Sequence, residues 1–214
     1  MLSLPLALPI VLLLSYLVGS FPTSLLVARR FAGIDIREHG SGNAGGTNVL
    51  RVVGWKAALL VALVDVGKGA LAASLVWRLA VPAPPFDAVA LSTLAGACAV
   101  VGHVYPVFAG FRGGKGVGTS AGAMVVVQPL ALVCCVPLFA AVAAVSRMVS
   151  LASMCAALAL PLAVLLVHGP AWVAENPITS AAVTALSIFV VFTHRSNIRR
   201  ILAGAENRLG GTGR

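Results

Sequence analysis

Carboxylates are scarce in this chain: six Asp and Glu stand against fifteen Lys and Arg, for a formal charge of +9. Charge of either sign is scarce too. Only 10% of the 214 residues are charged and 59% are hydrophobic, with a mean hydropathy of +1.01, whereas soluble domains carry about 25% charged residues. This excludes a soluble globular domain and leaves an integral membrane protein. Metal-ligand spacing is missing as well. Cys98, Cys134, Cys135 and Cys155 fall inside apolar runs, form no C-x-x-C pair and have no clustered histidines beside them. They read as small core residues, and neither a metal site nor a cofactor is expected. The start, "MLSLPLALPIVLLLSYLVGS", lacks a basic leading region and an A-x-A end, so it reads as a retained first span. No internal repeat or low-complexity segment is found. Cations excluded from the spans must gather in loops and at helix ends, where they meet lipid head groups or phosphorylated substrates. No nucleic-acid partner is expected.

A hydrocarbon core of about 30 Å takes about 20 residues of helix to cross. Apolar stretches of that kind run over Leu2–Phe31, Trp55–Ala80, Phe86–Phe108, Ser150–His168 and Pro177–Thr193. Residues 117–146 are apolar throughout but carry Pro129 and Pro137, so they make one long helix or two short ones. Parity favours two. Basic residues flank the first loop (Arg29, Arg30, Arg37, Arg51, Lys56), the third (Arg112, Lys115), the region of Arg147 and the tail (Arg195, Arg199, Arg200, Arg208). The positive-inside rule wants all four on the cytoplasmic face, which a short hairpin over 117–146 achieves. The expected fold is therefore an all-α polytopic membrane protein with seven membrane-embedded helices, N-terminus outside and C-terminus cytoplasmic. A re-entrant hairpin would reduce the count to five or six. Residues 1–205 form one domain on this reading. Residues 206–214 form a short frayed cytoplasmic tail, and poorly charged external loops lie near Val81–Asp87 and Gly169–Asn176.

Three polar stretches then share one face: "GSGNAGGTNVLR", "GHVYPVFAGFRGGKGVGTS" and "THRSNIRR". The first contains Gly40-x-Gly42-x-x-Gly45, but a dinucleotide fold needs a strand before that pattern, and here a membrane helix precedes it. As a lone glycine-rich loop it reads as a set of tight turns. With donors at Ser41, Asn43, Thr47 and Asn48, and with Arg51 expected to open a helix, it describes an anion site. The second stretch repeats the recipe: Gly113, Gly114, Gly116 and Gly118 surround Lys115, and Thr119 and Ser120 start a helix. It is not a Walker A loop, because Ala109 stands where the first glycine belongs and glycine follows Lys115. Gly114, Gly118 and Gly122 also fit small-x-x-x-small helix packing. His103, at the end of a span, is either a satisfied interfacial histidine or a polar contact or base near a substrate. In the third stretch Arg199 and Arg200 suffice as membrane anchors, but His194 and Asn197, three apart on one helical face, are not explained by anchoring. Asp65 and Lys68, also three apart, form an intramembrane pair of opposite charges, functional or structural.

Together "SGNAGGTNVLR", "DVGKG", "GHVYPVFAGFRGGKGVGT", "VSLAS" and "HRSNIRR", in this order over nearly the whole chain, resemble the bacterial membrane glycerol-3-phosphate acyltransferases that use acyl phosphate as donor. The resemblance implies a multi-pass enzyme of the bacterial inner membrane with a cytoplasm-facing site. Such an enzyme moves a fatty acyl group from acyl phosphate to the 1-hydroxyl of glycerol 3-phosphate, giving lysophosphatidic acid and phosphate for phospholipid synthesis. It implies Ser41, Arg51, Lys115, His194 and Asn197 as the catalytic set. Gly42, Asn43, Thr47, Asn48, His103, Gly113, Gly114, Gly116, Thr119 and Ser153 are implied as substrate-binding or loop-shaping. The partners are glycerol 3-phosphate, acyl phosphate and membrane lipid. The family more often shows proline or valine at Ala44 and alanine at Gly46, and the extra glycine is expected to loosen the loop.

The residues agree with direct attack. Acyl phosphate is a mixed anhydride with a good leaving group, so positioning two reactants, which supplies about 7–11 kcal/mol, makes a covalent acyl-enzyme unnecessary. No G-x-S-x-G elbow sits between a strand and a helix, and no histidine begins an H-x4-D motif, which argues against acyl-CoA as donor. His103, His194 and a substrate phosphate oxygen each satisfy the need for a proton acceptor. The rival from another class is a membrane transporter for a phosphorylated or anionic solute, which would place its polar residues mid-span on inverted repeats.

Overall fold

The computed structural model describes residues 4–79 and 86–210. Leu2, the Val81–Pro85 part of the expected external loop and residues 211–214 of the expected tail lie outside the described residues. The chain divides into two compact units, Met1–Val127 and Gln128–Arg214. All regular structure among the described residues is helical.

In the first unit α1 (Leu4–Gly19) and α2 (Thr23–Ala32) are separated by a break at Ser20–Pro22. Pro22 has no N–H to continue the ladder. The short helix α3 (Gly46–Val52) leads through Gly54 into α4 (Trp55–Ser74), which is followed by α5 (Ala88–Val104) and α6 (Val117–Val127). The Asp87 carboxylate caps α5 by accepting from the Ala90 N–H at 2.7 Å. α4 and α6 cross at van der Waals contact of their backbones. A Cβ added at Gly69 would collide with the Thr119 carbonyl, and one at Gly122 with the Val66 carbonyl. The small-residue spacing of the second motif is thus used for close packing at Gly122, whereas a Cβ at Gly118 would make only ordinary contacts. Gly114 precedes the helix and has another role, described below.

The second unit contains α7 (Pro129–Ser146), α8 (Val149–Glu175), α9 (Pro177–Thr193) and α10 (Arg195–Leu202). Pro129 and Pro177 occupy the first helical positions of α7 and α9, where a missing N–H costs nothing. The expected external loop Gly169–Asn176 is instead mostly helix: the chain leaves helical geometry only at Gly169 (φ 81, ψ 165) and then resumes through Glu175. Buried Gln128 accepts through Oε1 from His168 Nε2 at 2.8 Å within this unit, and His168 stacks on Trp172. The cysteines are unpaired, but only Cys135 is buried, and Cys134 is exposed on α7, which corrects its reading as a core residue.

Among the described residues, five helical stretches are long and apolar enough to cross a membrane: Pro5–Ala32, Trp55–Leu79, Ala88–Ala109, Pro129–Ser146 and Val149–Glu175. The pair α9–α10, bent by 53°, makes a sixth if it is one span. Residues 117–146 are two helices, as the prolines indicate. At 11 residues α6 rises only about 16 Å, half of a bilayer core.

Candidate active site

The first glycine-rich stretch is a folded loop built around one side chain. Asn48, buried in the first turn of α3, donates through Nδ2 to the carbonyls of Ile36 (3.1 Å), His39 (2.9 Å) and Asn43 (3.1 Å). Its Oδ1 accepts from the Ser41 N–H at 2.9 Å. Gly42 turns the chain with its N–H on the His39 carbonyl, 3.1 Å. Ser41, Asn43 and Thr47 are held half-buried around this knot. Gly46, expected to loosen the loop, is the first residue of α3, and the knot holds the loop in place. Arg51 does not open a helix as expected. The ladder starts five residues earlier, after extended Gly45, and Arg51 sits exposed in the last turn of α3, where a cation complements the carbonyl end of the dipole.

The second stretch meets the first inside the same unit. Arg37 grips Asp35 with Nε at 3.0 Å and Nη2 at 2.6 Å, and donates through Nη1 to the Ala109 carbonyl at 2.9 Å. The Arg37 guanidinium hydrogen bond, with the Arg37 N–H, holds the Asp35 carboxyl down at about 2. Ala44 and Ala109 are buried in one apolar cluster with Ile36, Val49 and Val61. The Gly113 and Gly114 N–H groups donate back to the Val104 and His103 carbonyls at 3.1 and 3.2 Å, which closes the end of α5. Gly114 has no room for a side chain, since an added Cβ would collide with His103 Nε2 and lie 2.8 Å from the Ala44 carbonyl. Gly116 adopts φ 83 and hands the chain to α6. Half-buried Lys115 projects from this turn, and Thr119 and Ser120 follow in the first turn of α6 with buried hydroxyls that have no hydrogen-bond partner.

The third stretch belongs to the second unit. His194 lies at the junction of α9 and α10 (φ −90, ψ 7), buried, with Nδ1 2.7 Å from the Val190 carbonyl. A carbonyl accepts only, so Nδ1 carries a proton and donates it to Val190. Asn197, one turn on and also buried, donates through Nδ2 to Glu206 Oε1 at 2.6 Å. Ser153 is buried in α8 with its hydroxyl on the Val149 carbonyl, 2.8 Å.

The family model "Glycerol-3-phosphate acyltransferase" matches residues 9–204. The chain belongs to the glycerol-3-phosphate acyltransferase family. It is 49% identical over 200 residues to the glycerol-3-phosphate acyltransferase of Geobacillus kaustophilus, covering 94% of this chain and 95% of that one. It is 40% identical over 220 residues to the enzyme of that name from Chlorobaculum tepidum, covering 93% and 95%. Among solved structures it is similar to PlsY (YgiH), an integral membrane glycerol 3-phosphate acyltransferase, in the glycerol 3-phosphate form. That match has a TM-score of 0.83 and 32% identity over 95% of this chain and 96% of that one. The lysophosphatidic acid form of PlsY matches with a TM-score of 0.80 over 95% of each.

One element of this acyltransferase was invisible in the sequence reading. The tail expected to fray is tied down as far as Leu209, whose N–H meets the Arg147 carbonyl at 2.7 Å. Its anchor is buried Glu206, which accepts from Ser150 Oγ (2.7 Å), Asn197 Nδ2 (2.6 Å) and Arg200 Nε (2.8 Å). The available signal was a lone carboxylate among the arginines after His194. Burial pushes the Glu206 carboxyl up, but these three hydrogen bonds outweigh it and hold it below its ordinary value. A carboxyl lowered in the folded state contributes stability that is present above the ordinary glutamate range and is lost as pH falls through the lowered value. Glu206→Ala is expected to cost on the order of 2 kcal/mol of local stability. Limited proteolysis should find the segment after Ala203 cleaved readily in the variant at neutral pH, and in the parent only in acid.

Proposed function

We propose that this chain acylates the 1-hydroxyl of glycerol 3-phosphate with acyl phosphate as donor, releasing lysophosphatidic acid and inorganic phosphate. The observation that carries the reading is the meeting of the two glycine loops in the first unit: Lys115 lies on the second loop, and Arg51 ends the short helix that the first loop starts. The naming of the family's solved relative in glycerol 3-phosphate and lysophosphatidic acid forms supports the same substrate and product. Arg51 serves as a forked phosphate ligand and Lys115 as a compact charge on phosphate or on the developing oxyanion. Ser41, Asn43, Thr47 and Thr119 supply neutral donors to the same anions. Asn48, whose amide is spent on the loop, and Gly42, Gly113, Gly114 and Gly116 shape the turns. The family resemblance extends substrate contact to His194, Asn197 and Ser153.

The reaction needs little more than alignment. The acceptor hydroxyl oxygen bonds to the acyl carbon, the carbon–oxygen bond to phosphate breaks with its electron pair, and the hydroxyl proton passes to a phosphate oxygen. Oriented cations at the carbonyl oxygen contribute about 3–4 kcal/mol beyond positioning. Purified protein in micelles, offered acyl phosphate, acyl-CoA and acyl carrier protein in parallel, tests this directly. Turnover with acyl phosphate alone is expected. Turnover only with a thioester donor overturns the donor assignment, and no product in any arm returns the chain to the transporter reading.

In this scheme the histidines position and do not accept the proton. His103→Gln and His194→Gln should therefore lower turnover without removing a limb of the pH–rate profile near neutrality. Loss of such a limb in either variant would identify that ring as the base. For topology we propose seven membrane-embedded helices, with α6 as a short one, the N-terminus outside and the loops cytoplasmic. A cysteine placed at Gly42 or Arg112 is then expected to resist an impermeant thiol reagent applied to intact cells, in a background whose native cysteines are replaced.

A further inference from the structure

The first unit buries two full charges that the scheme above does not use. Asp65 on α4 is 5% exposed and Lys68, one turn on, 6%. Around the single oxygen Asp65 Oδ1 the fold gathers Lys68 Nζ (2.9 Å), Thr23 Oγ1 of α2 (3.1 Å) and His103 Nδ1 of α5 (3.5 Å). Lys68 Nζ also donates at 3.2 Å to the Phe21 carbonyl, which lies in the break between α1 and α2 and accepts from the Thr23 N–H as well. On its far side the His103 ring abuts the glycine turn: Nε2 faces Gly114, where an added Cβ would strike it. The first turn of α6 rests on the same residue, because a Cβ at Gly118 would lie 3.4 Å from Asp65 Cβ.

Stability alone does not call for this arrangement. Two buried charges cost several kcal/mol each in desolvation, and replacing such a pair by apolar side chains is often neutral or stabilising. What apolar residues would not do is fix the rotation of an imidazole. A carboxylate on Nδ1 selects the ring orientation that sends Nε2 to Gly114, much as an outer carboxylate orients a histidine ligand. Gly114 is the residue before Lys115, so the orientation of the ring is transmitted to the cation in one peptide step.

We propose that Asp65 is a positioning residue for acyl transfer, acting through the His103 ring on the Gly113–Gly116 turn that carries Lys115, with Lys68 as its buried counter-charge. The proposal rests on the acyl-transfer reading for its kinetic arm only. The double variant Asp65→Ala with Lys68→Met removes both charges together and avoids stranding either. It is expected to keep the melting temperature of the parent in detergent while kcat/KM falls at least about tenfold, as a misplaced contact group requires. Asp65→Asn keeps an acceptor for Nδ1–H and should recover a substantial part of that loss. If Asp65 acts through the ring, the loss disappears once the ring is gone. His103→Ala, and His103→Ala combined with the two charge removals, should then agree to within about twofold. Hydrogen exchange of the Gly113 and Gly114 amides gives a second readout that needs no substrate, and both should exchange faster in the charge-free variant.

Parent-level kinetics and parent-level exchange in the charge-free variant overturn the proposal, as does a triple variant much worse than His103→Ala. Should that variant fail to fold, the Asp65→Asn cycle with His103→Ala decides on the same criteria. Absence of acyl-phosphate turnover in the parent, with the exchange difference intact, counts against the acyl-transfer reading and leaves the positioning role standing.

Discussion

Arg51→Ala and Lys115→Ala are each expected to lower kcat/KM for acyl transfer by about 10²–10³-fold, the usual loss when one oriented donor is removed from a developing charge. Arg51 is exposed on the last turn of α3, so truncating it removes little packing. Both variants are expected to remain folded in detergent, which their helical circular dichroism checks. Arg51→Lys should recover only part of the activity, because an ammonium cannot reproduce a forked contact with phosphate. The measurement is steady-state kinetics in micelles with glycerol 3-phosphate and acyl phosphate varied separately. A rise confined to KM for glycerol 3-phosphate places a cation on that phosphate, and a fall in kcat places it on the transition state. Near-normal kcat/KM in either variant refutes its assignment.

The parts of this molecule that were legible in its sequence are those governed by the bilayer. An apolar run of about 20 residues has one use, so the long apolar helices and the break at Pro129 were readable from composition and proline, whereas the break at Ser20–Pro22 inside the first run was not. The polar stretches were readable for the converse reason: cations and amides clustered between such runs stand out, although several of their residues, Asn48, Gly114 and Gly122 among them, proved to be structural. Local details set by competition were not readable. Arg51 closes a helix because Asn48 draws four backbone groups around itself and starts the ladder at Gly46, a choice that depends on groups five to twelve residues away. Glu206 anchors the tail through Ser150, 56 positions earlier, a pairing that no window of sequence contains. Asp65 and Lys68 were visible as a pair, but their meaning came only with Thr23 and His103, which arrive from two other helices.

Gly114→Ala is the sharpest test of how tightly the two loops are interlocked. The added methyl meets the His103 ring on one side and the Ala44 carbonyl at 2.8 Å on the other. Neither yields easily: His103 is backed by Asp65, and Ala44 is buried in the cluster that also holds Ala109. The turn itself must shift, and Lys115 moves with it. A displacement of about 1 Å in a positioning group costs about 10²-fold in rate, so kcat/KM is expected to fall by that order while the helices remain folded. Gly118→Ala, in the first turn of α6, supplies the contrast. Its methyl would make ordinary contacts at 3.4 Å with Asp65 Cβ and 4.0 Å with Val66 Cγ2, so it should keep activity to within about threefold, an energy below 1 kcal/mol. If both variants lose activity equally, the loss reflects α6 as a whole and not the contact at Gly114. If Gly114→Ala is as active as the parent, the two turns are looser than their distances imply, and Lys115 is not held by them.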